Sequence, residues 1–187
     1  RYRDDQRVDR ICGMNNAGKT DHVEASYLFS QKGSMCAWAT WKRVADSWDP
    51  DYQWLDNAAV VSQLRGSFLS ARLYRAFIRK STFHRSSGHP YHETVGVFAC
   101  LSERRLMIVP RHNLVANVGV CEGATHCASE LRMLPKRVRR IFTVGAEDIV
   151  FPLEHPEFMF RDTRFERSIT QTRWQALADR LESWILL

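Results

Sequence analysis

One carboxylate, Glu93, stands among His89, Tyr91 and His92 at the entry of an apolar run that reaches Leu101. A carboxyl partly withdrawn from water holds its proton more tightly and suits a general base. The same position also suits a first-turn Glu favoured by the helix dipole. Further upstream, Trp38-Ala-Thr-Trp-Lys-Arg43 sets two indoles beside two cations. Trp38 and Trp41 can stack on a sugar or a base, while Lys42 and Arg43 can reach a diphosphate. The competing possibility is an aromatic pair packed at helical spacing with solvent-facing basic neighbours.

The stretch Ile108 to His126 reads IVPRHNLVANVGVCEGATH. Asn113 and Asn117 flank apolar residues here, and a Gly-Ala-Thr turn delivers His126. This histidine can bind metal or phosphate, or serve as an ordinary hydrogen-bonded side chain. Gly13-Met-Asn-Asn-Ala-Gly-Lys-Thr20 matches the phosphate-loop pattern GxxxxGK[ST]. In such a loop backbone N–H groups face phosphates, the Lys reaches them and the Thr holds magnesium. A strand precedes it, but no solid helix follows, and a Gly/Asn surface loop is the rival. Asp49-Pro-Asp51 has the spacing of a metal-binding carboxylate pair, yet it also reads as a turn with an Asp cap. GxSxG, HExxH and GxGxxG motifs are absent.

The elements that must carry these residues follow from periodicity. Arg7–Cys12, Tyr27–Phe29, Leu106–Val109 and Ile149–Leu153 read as strands. Trp38–Ala45 is expected to start a helix with Trp38, Trp41 and Ala45 on one face. Leu55–Ile78 is strongly helical, with Leu69, Leu73 and Phe77 as a core stripe and Arg72, Arg75 and Arg79 as a basic stripe, and Gly66 marks a break. His92–Leu101 is a buried helix, and Leu134–Phe142 a short basic one started by Pro135. Gln171–Leu187 is an amphipathic helix with Trp174, Leu177, Leu181, Trp184 and Ile185 on one face. Short strands mixed with helices predict an α/β or α+β chain.

With 187 residues the chain is long enough for one domain with a real core. Its net charge of +6 favours anionic partners: nucleotides, phosphate-bearing lipids or nucleic acid. The five cysteines form no CxxC pair, so neither a zinc knuckle nor a disulfide framework is indicated. No apolar run approaches the ~18 residues of a membrane span. The chain opens on RYRDD without an initiator Met, which predicts that an N-terminal part precedes it.

Taken in order, several short motifs resemble those of the family-2-like glycosyltransferases of the GT-A type. They are Arg1-Tyr-Arg-Asp-Asp5 with Arg7-Val8, Ile11-Cys-Gly-Met-Asn-Asn16, Ser26-Tyr-Leu-Phe-Ser30 and Ala37-Trp-Ala-Thr-Trp-Lys-Arg43. Tyr91-His-Glu93, Val109-Pro-Arg-His-Asn113, Asn117-Val-Gly119, Ala124-Thr-His126, Leu134-Pro-Lys136 and Phe151-Pro-Leu-Glu-His-Pro156 follow. The resemblance runs from residue 1 to about residue 165, and residues 166–187 form the terminal helix. It departs at Cys36-Ala37-Trp38, where the family usually has a Trp-Gly pair before Ala-Thr-Trp. The family's nucleotide-binding half and metal-binding acidic motif lie before the residue matching Arg1.

This resemblance implies a GT-A-like mixed sheet flanked by helices, incomplete because that N-terminal half is absent. It implies sugar transfer, with inversion, from a nucleotide-diphosphate-sugar donor to a hydroxyl of a glycan or glycolipid. Mg or Mn would stabilise the leaving diphosphate in the full-length enzyme, and these residues alone would be inactive. Glu93 takes the place of the base, and His126 that of a histidine near the metal. Trp38, Thr40 and Trp41 would line a sugar pocket, with Lys42, Arg43 and Asn113 also counted at the substrate site. Asn113 and Asn117 suit backbone scaffolding as well. The implied setting is the cytoplasmic face of the membrane in cell-envelope polysaccharide synthesis, with peripheral membrane contact and no specific nucleic acid. A nucleotide-binding protein using Gly13–Thr20, or a non-catalytic basic module binding glycan or nucleic acid, is the alternative.

Overall fold

The computed structural model describes residues 1–119 and 136–170. In chain order the elements are β1 (Val8–Cys12), β2 (Tyr27–Ser30), β3 (Trp38–Thr40), α1 (Lys42–Ala45), α2 (Ala58–Leu64), α3 (Ala71–Ser86), α4 (His92–Ser102), β4 (Leu106–Pro110), α5 (Lys136–Thr143) and α6 (Thr163–Ser168). The strands form one four-stranded sheet in the order β2-β4-β1-β3. This is a mixed α/β chain, as the alternation of short strands and helices predicts. It divides into two compact units, Arg1–Arg10 with Ala39–Met107 and Ile11–Trp38 with Ile108–Leu187.

In the first unit, buried Tyr52, Trp54, Leu64, Val95 and Leu101 form the core. The Trp54 ring stacks on Phe98 at 4.4 Å and on Phe77 at 5.8 Å between centroids. Each such ring buries roughly 150–250 Å², worth about 4–6 kcal/mol of transfer free energy before entropy is subtracted. This aromatic stack is what draws α3 and α4 onto the short 3-10 turn Gln53–Asp56. Asp49 caps that turn, its Oδ2 accepting from the Trp54 N–H at 3.1 Å. The Asp49-Pro-Asp51 stretch is therefore the turn its composition allows, with Asp49 occupied in capping.

The helical span expected over Leu55–Ile78 is divided. Asn57 caps α2 through the N–H groups of Ala59 and Val60. A 3-10 turn at Arg65–Ser67 follows, and Ser70 caps α3 by accepting from the Leu73 N–H. The break centres on Gly66, whose backbone entropy disfavours a helix interior. A Ser at position 70 then restarts the helix by supplying a side-chain acceptor for its free N–H groups.

In the second unit Cys12, Met14, Leu28, Phe29, Val109 and Phe165 are buried. Strand β2 ends the sheet order, and an end strand exposes unpaired backbone groups unless something covers it. Residues 154–162 do so. The Ser26 N–H donates to Glu154 O at 2.8 Å, and the Asp162 N–H to Phe29 O at 2.8 Å. Tyr27 Oη and His155 Nδ1 share a hydrogen bond of 2.7 Å. The fully buried Glu166 carboxylate accepts from Arg161, from the Gln31 N–H and from Ser30 Oγ.

Two expected elements differ. Trp38–Thr40 is strand β3, not the start of a helix, and only Lys42–Ala45 is helical. Ala37 has φ +47°, in the left-handed region, and this reversal delivers the chain into an extended run. Ile149–Leu153 is no strand: Val150 and Phe151 are exposed and Pro152 offers no N–H to a ladder. The predicted helix Leu134–Phe142 corresponds to α5 where it is described, whereas Gln171–Leu187 lies outside the described residues.

Candidate active site

Glu93 sits in the first turn of α4 and is half-buried. Its Oε2 is screened from solvent and has no hydrogen-bond partner among the described residues. The residues on either side of it are held firmly. Thr94 Oγ1 meets Tyr52 Oη at 2.8 Å and His84 Nδ1 at 2.7 Å. Tyr52 Oη accepts from the Tyr91 N–H at 3.1 Å, and the His84 ring stacks on Tyr91 at 3.9 Å. Tyr52 and His84 thus clamp residues 91 and 94 and leave the Glu93 carboxylate uncommitted between them. Burial holds the His84 imidazole below its ordinary pKa, with Lys80 adding to the effect and Glu93 opposing it.

Tyr52, His84 and Thr94 do not stand out in the sequence as a site. The signal that could have found them is the inward face of α3, where buried Ser81 and His84 interrupt an otherwise apolar stripe. Most polar groups at core positions meet a partner, and His84 meets Thr94.

The other expected substrate residues of this unit are tied into local structure. Thr40 Oγ1 donates to Asp9 O at 2.5 Å. The Arg43 guanidinium lies over the Trp41 ring at 4.9 Å and donates to the carbonyls of Arg3, Asp5 and Val8. Arg43 is therefore a clamp on the N-terminal segment. Lys42 pairs with Asp46 at 2.6 Å on exposed helix surface. None of these four residues makes a hydrogen bond to Glu93.

Beneath them lies a charge pair that the sequence does not announce. Adjacent Asp9 and Arg10 are both fully buried and joined at 2.5 Å. Burial pushes the Asp9 carboxyl up in pKa, against the pull of Arg10, Arg105 and Arg43. Gly96 of α4 makes room for the pair, since a Cβ there would lie 2.8 Å from Arg10 Nη2.

In the second unit Asn113 is buried, with both ends of its side-chain amide hydrogen-bonded. Its Oδ1 accepts from the Asn15 N–H at 3.0 Å, and its Nδ2 donates to Val115 O and Gly145 O at 2.7 and 2.9 Å. Both amide hydrogens and one of the two Oδ1 lone pairs are thus spent on backbone groups, the scaffolding use that this position also suits. Asn117 likewise turns inward, accepting from the Gly119 N–H and approaching Cys36 Sγ at 3.5 Å. Trp38 belongs to this unit, and His126 lies outside the described residues.

The Gly13–Thr20 loop folds on itself. Asn15 Oδ1 takes the Ala17 N–H, and Asn15 O takes the Gly18 N–H. Thr20 is buried, its Oγ1 accepting from Asn15 Nδ2, and Lys19 pairs with Asp21. Residues 21–26 are turn and bend before β2 opens, so no helix follows to lend its N-terminus to a phosphate. A cavity of about 370 Å³ also lies in this unit, walled by Tyr27, Ile108, Leu114 and Val150, and none of the sequence-predicted site residues among the described residues lines it.

Compared with known proteins, the chain matches no family model, no curated protein and no solved structure.

Proposed function

We propose that this chain carries the base-bearing part of a glycosyltransferase that moves a sugar from a nucleotide-diphosphate-sugar donor to an acceptor hydroxyl on a glycan or glycolipid. The observation that carries the proposal is Glu93: a water-screened, uncommitted carboxylate oxygen held between two clamped residues. A base must be fixed in place yet have a lone pair free for the incoming proton. The ordered motifs add support.

In the reaction the acceptor oxygen attacks the anomeric carbon while Glu93 Oε2 takes its proton. The bond from that carbon to the diphosphate oxygen breaks, and the nucleoside diphosphate leaves with the electron pair. A single displacement inverts the anomeric centre. Among the described residues no three His, Cys, Asp or Glu side chains gather to hold a metal. The divalent ion implied by the resemblance would draw its ligands from elsewhere in the full-length protein.

The test is Glu93→Gln in the full-length protein, followed by release of nucleoside diphosphate from a panel of UDP-, GDP- and dTDP-sugars. Loss of a general base lowers turnover by about 10²–10⁴-fold, with donor binding preserved. Turnover at the parent rate would remove Glu93 from the role. No release from any donor by the parent protein would remove the activity.

A further inference from the structure

The solvent face of α3 points to a second property, which stands apart from the sugar-transfer proposal. Arg72, Arg75, Ala76, Arg79, Lys80 and Phe83 are all exposed and recur at intervals of three and four. Such spacing sets them on one side of a helix. Opposite them Tyr74, Phe77 and Ile78 pack against the core, and Ser81 and His84 are buried. No acidic residue occurs in Ala71–Ser86. Arg85 is neutralised by Asp56 through two hydrogen bonds, but Arg75, Arg79 and Lys80 have no such partner among the described residues.

Phe83 is 65% exposed on this same face, one turn beyond Arg79. A lone cationic stripe would be satisfied by water. A large ring among the cations exposes apolar surface that water does not satisfy. Together they match a surface that is anionic at its rim and apolar just beneath. We infer that α3 lies along an anionic phospholipid surface, its cations at the headgroups and Phe83 inserted between them. No helix of the described residues is long and apolar enough to cross a membrane. Single-stranded nucleic acid would answer the charge too, but this face offers it one ring, where a bound strand stacks successive bases on several.

The experiment is co-sedimentation of the full chain with phosphatidylcholine vesicles, with and without one third phosphatidylglycerol, at low and high salt. Binding should require the anionic lipid and weaken with salt. Each cation contributes about fivefold to partitioning, so Arg75→Glu with Arg79→Glu should lower it by about 25-fold or more. Phe83→Ser should remove the part that survives high salt. All three positions face solvent, and an unchanged thermal transition would show that the fold is intact. Should the double reversal unfold the chain, Arg75→Gln with Arg79→Gln gives the same comparison with a smaller loss. Equal binding to vesicles without anionic lipid would overturn the inference, as would binding indifferent to the Arg substitutions. So would absence of vesicle binding alongside salt-sensitive binding of a short single-stranded RNA.

Discussion

The backbone N–H of Asn15 donates to the side-chain oxygen of Asn113, 98 positions further along the chain, at 3.0 Å. Asn15 returns the contact, its Nδ2 donating to the carbonyls of Pro110 and Arg111. Two buried asparagines thus fasten the Gly13–Thr20 loop to the end of β4. Asn113→Ala strips three backbone groups of their partner, the Asn15 N–H and the Val115 and Gly145 carbonyls. Unmet buried polar groups make this substitution cost about 2–4 kcal/mol, read from the shift of the urea midpoint. A side chain whose task was to grip substrate would leave that midpoint where it was.

This fastening shows where sequence is legible. The runs at β1, β2, β4 and α4 could be read because apolar residues sit together between turn signals, and burial follows from such runs directly. The β3 stretch misled because Trp38 and Trp41 are three apart, a helical spacing. The left-handed Ala37 before them has no signature of its own. Glu93 could be singled out for its neighbours in the chain. The Tyr52–Thr94–His84 network around it could not, since nothing local in the sequence pairs a tyrosine with a threonine 42 positions away. Asn113 was legible as a polar residue among apolar ones. What it holds was not: the Asn15 N–H and the Val115 and Gly145 carbonyls lie 98, 2 and 32 positions away.

Gly96 is constrained by Arg10 rather than by its own backbone. A methyl group there would meet the Arg10 guanidinium at 2.8 Å. An exposed arginine would swing aside, but Arg10 is fully buried and tied to Asp9. Moving it would separate a buried ion pair or expose it to apolar packing. Gly96→Ala should therefore destabilise the chain by about 1–3 kcal/mol through overpacking. In Arg10→Met, where the guanidinium is gone, the same glycine substitution should cost much less. A double-mutant cycle by denaturant unfolding measures this coupling, and additive costs would show that Gly96 does not serve the guanidinium.

His84 gives the fold a dependence on pH with a definite sign. Burial, reinforced by Lys80 and opposed by Glu93, keeps the folded imidazole below its ordinary pKa of 6.5. The unfolded chain titrates near that ordinary value. As pH falls below it, the unfolded state takes up a proton that the folded state resists, so stability drops. The contribution is intact above the unfolded value and is lost as pH falls towards the folded one. His84→Phe retains a ring to stack on Tyr91 and abolishes the titration. Thr94 then still has Tyr52 Oη and Tyr91 O as partners. Urea unfolding of both chains across this pH range should show the parent losing stability more steeply on acidification than the variant. Parallel curves would mean that His84 is not the group through which acid loosens the clamp beside Glu93.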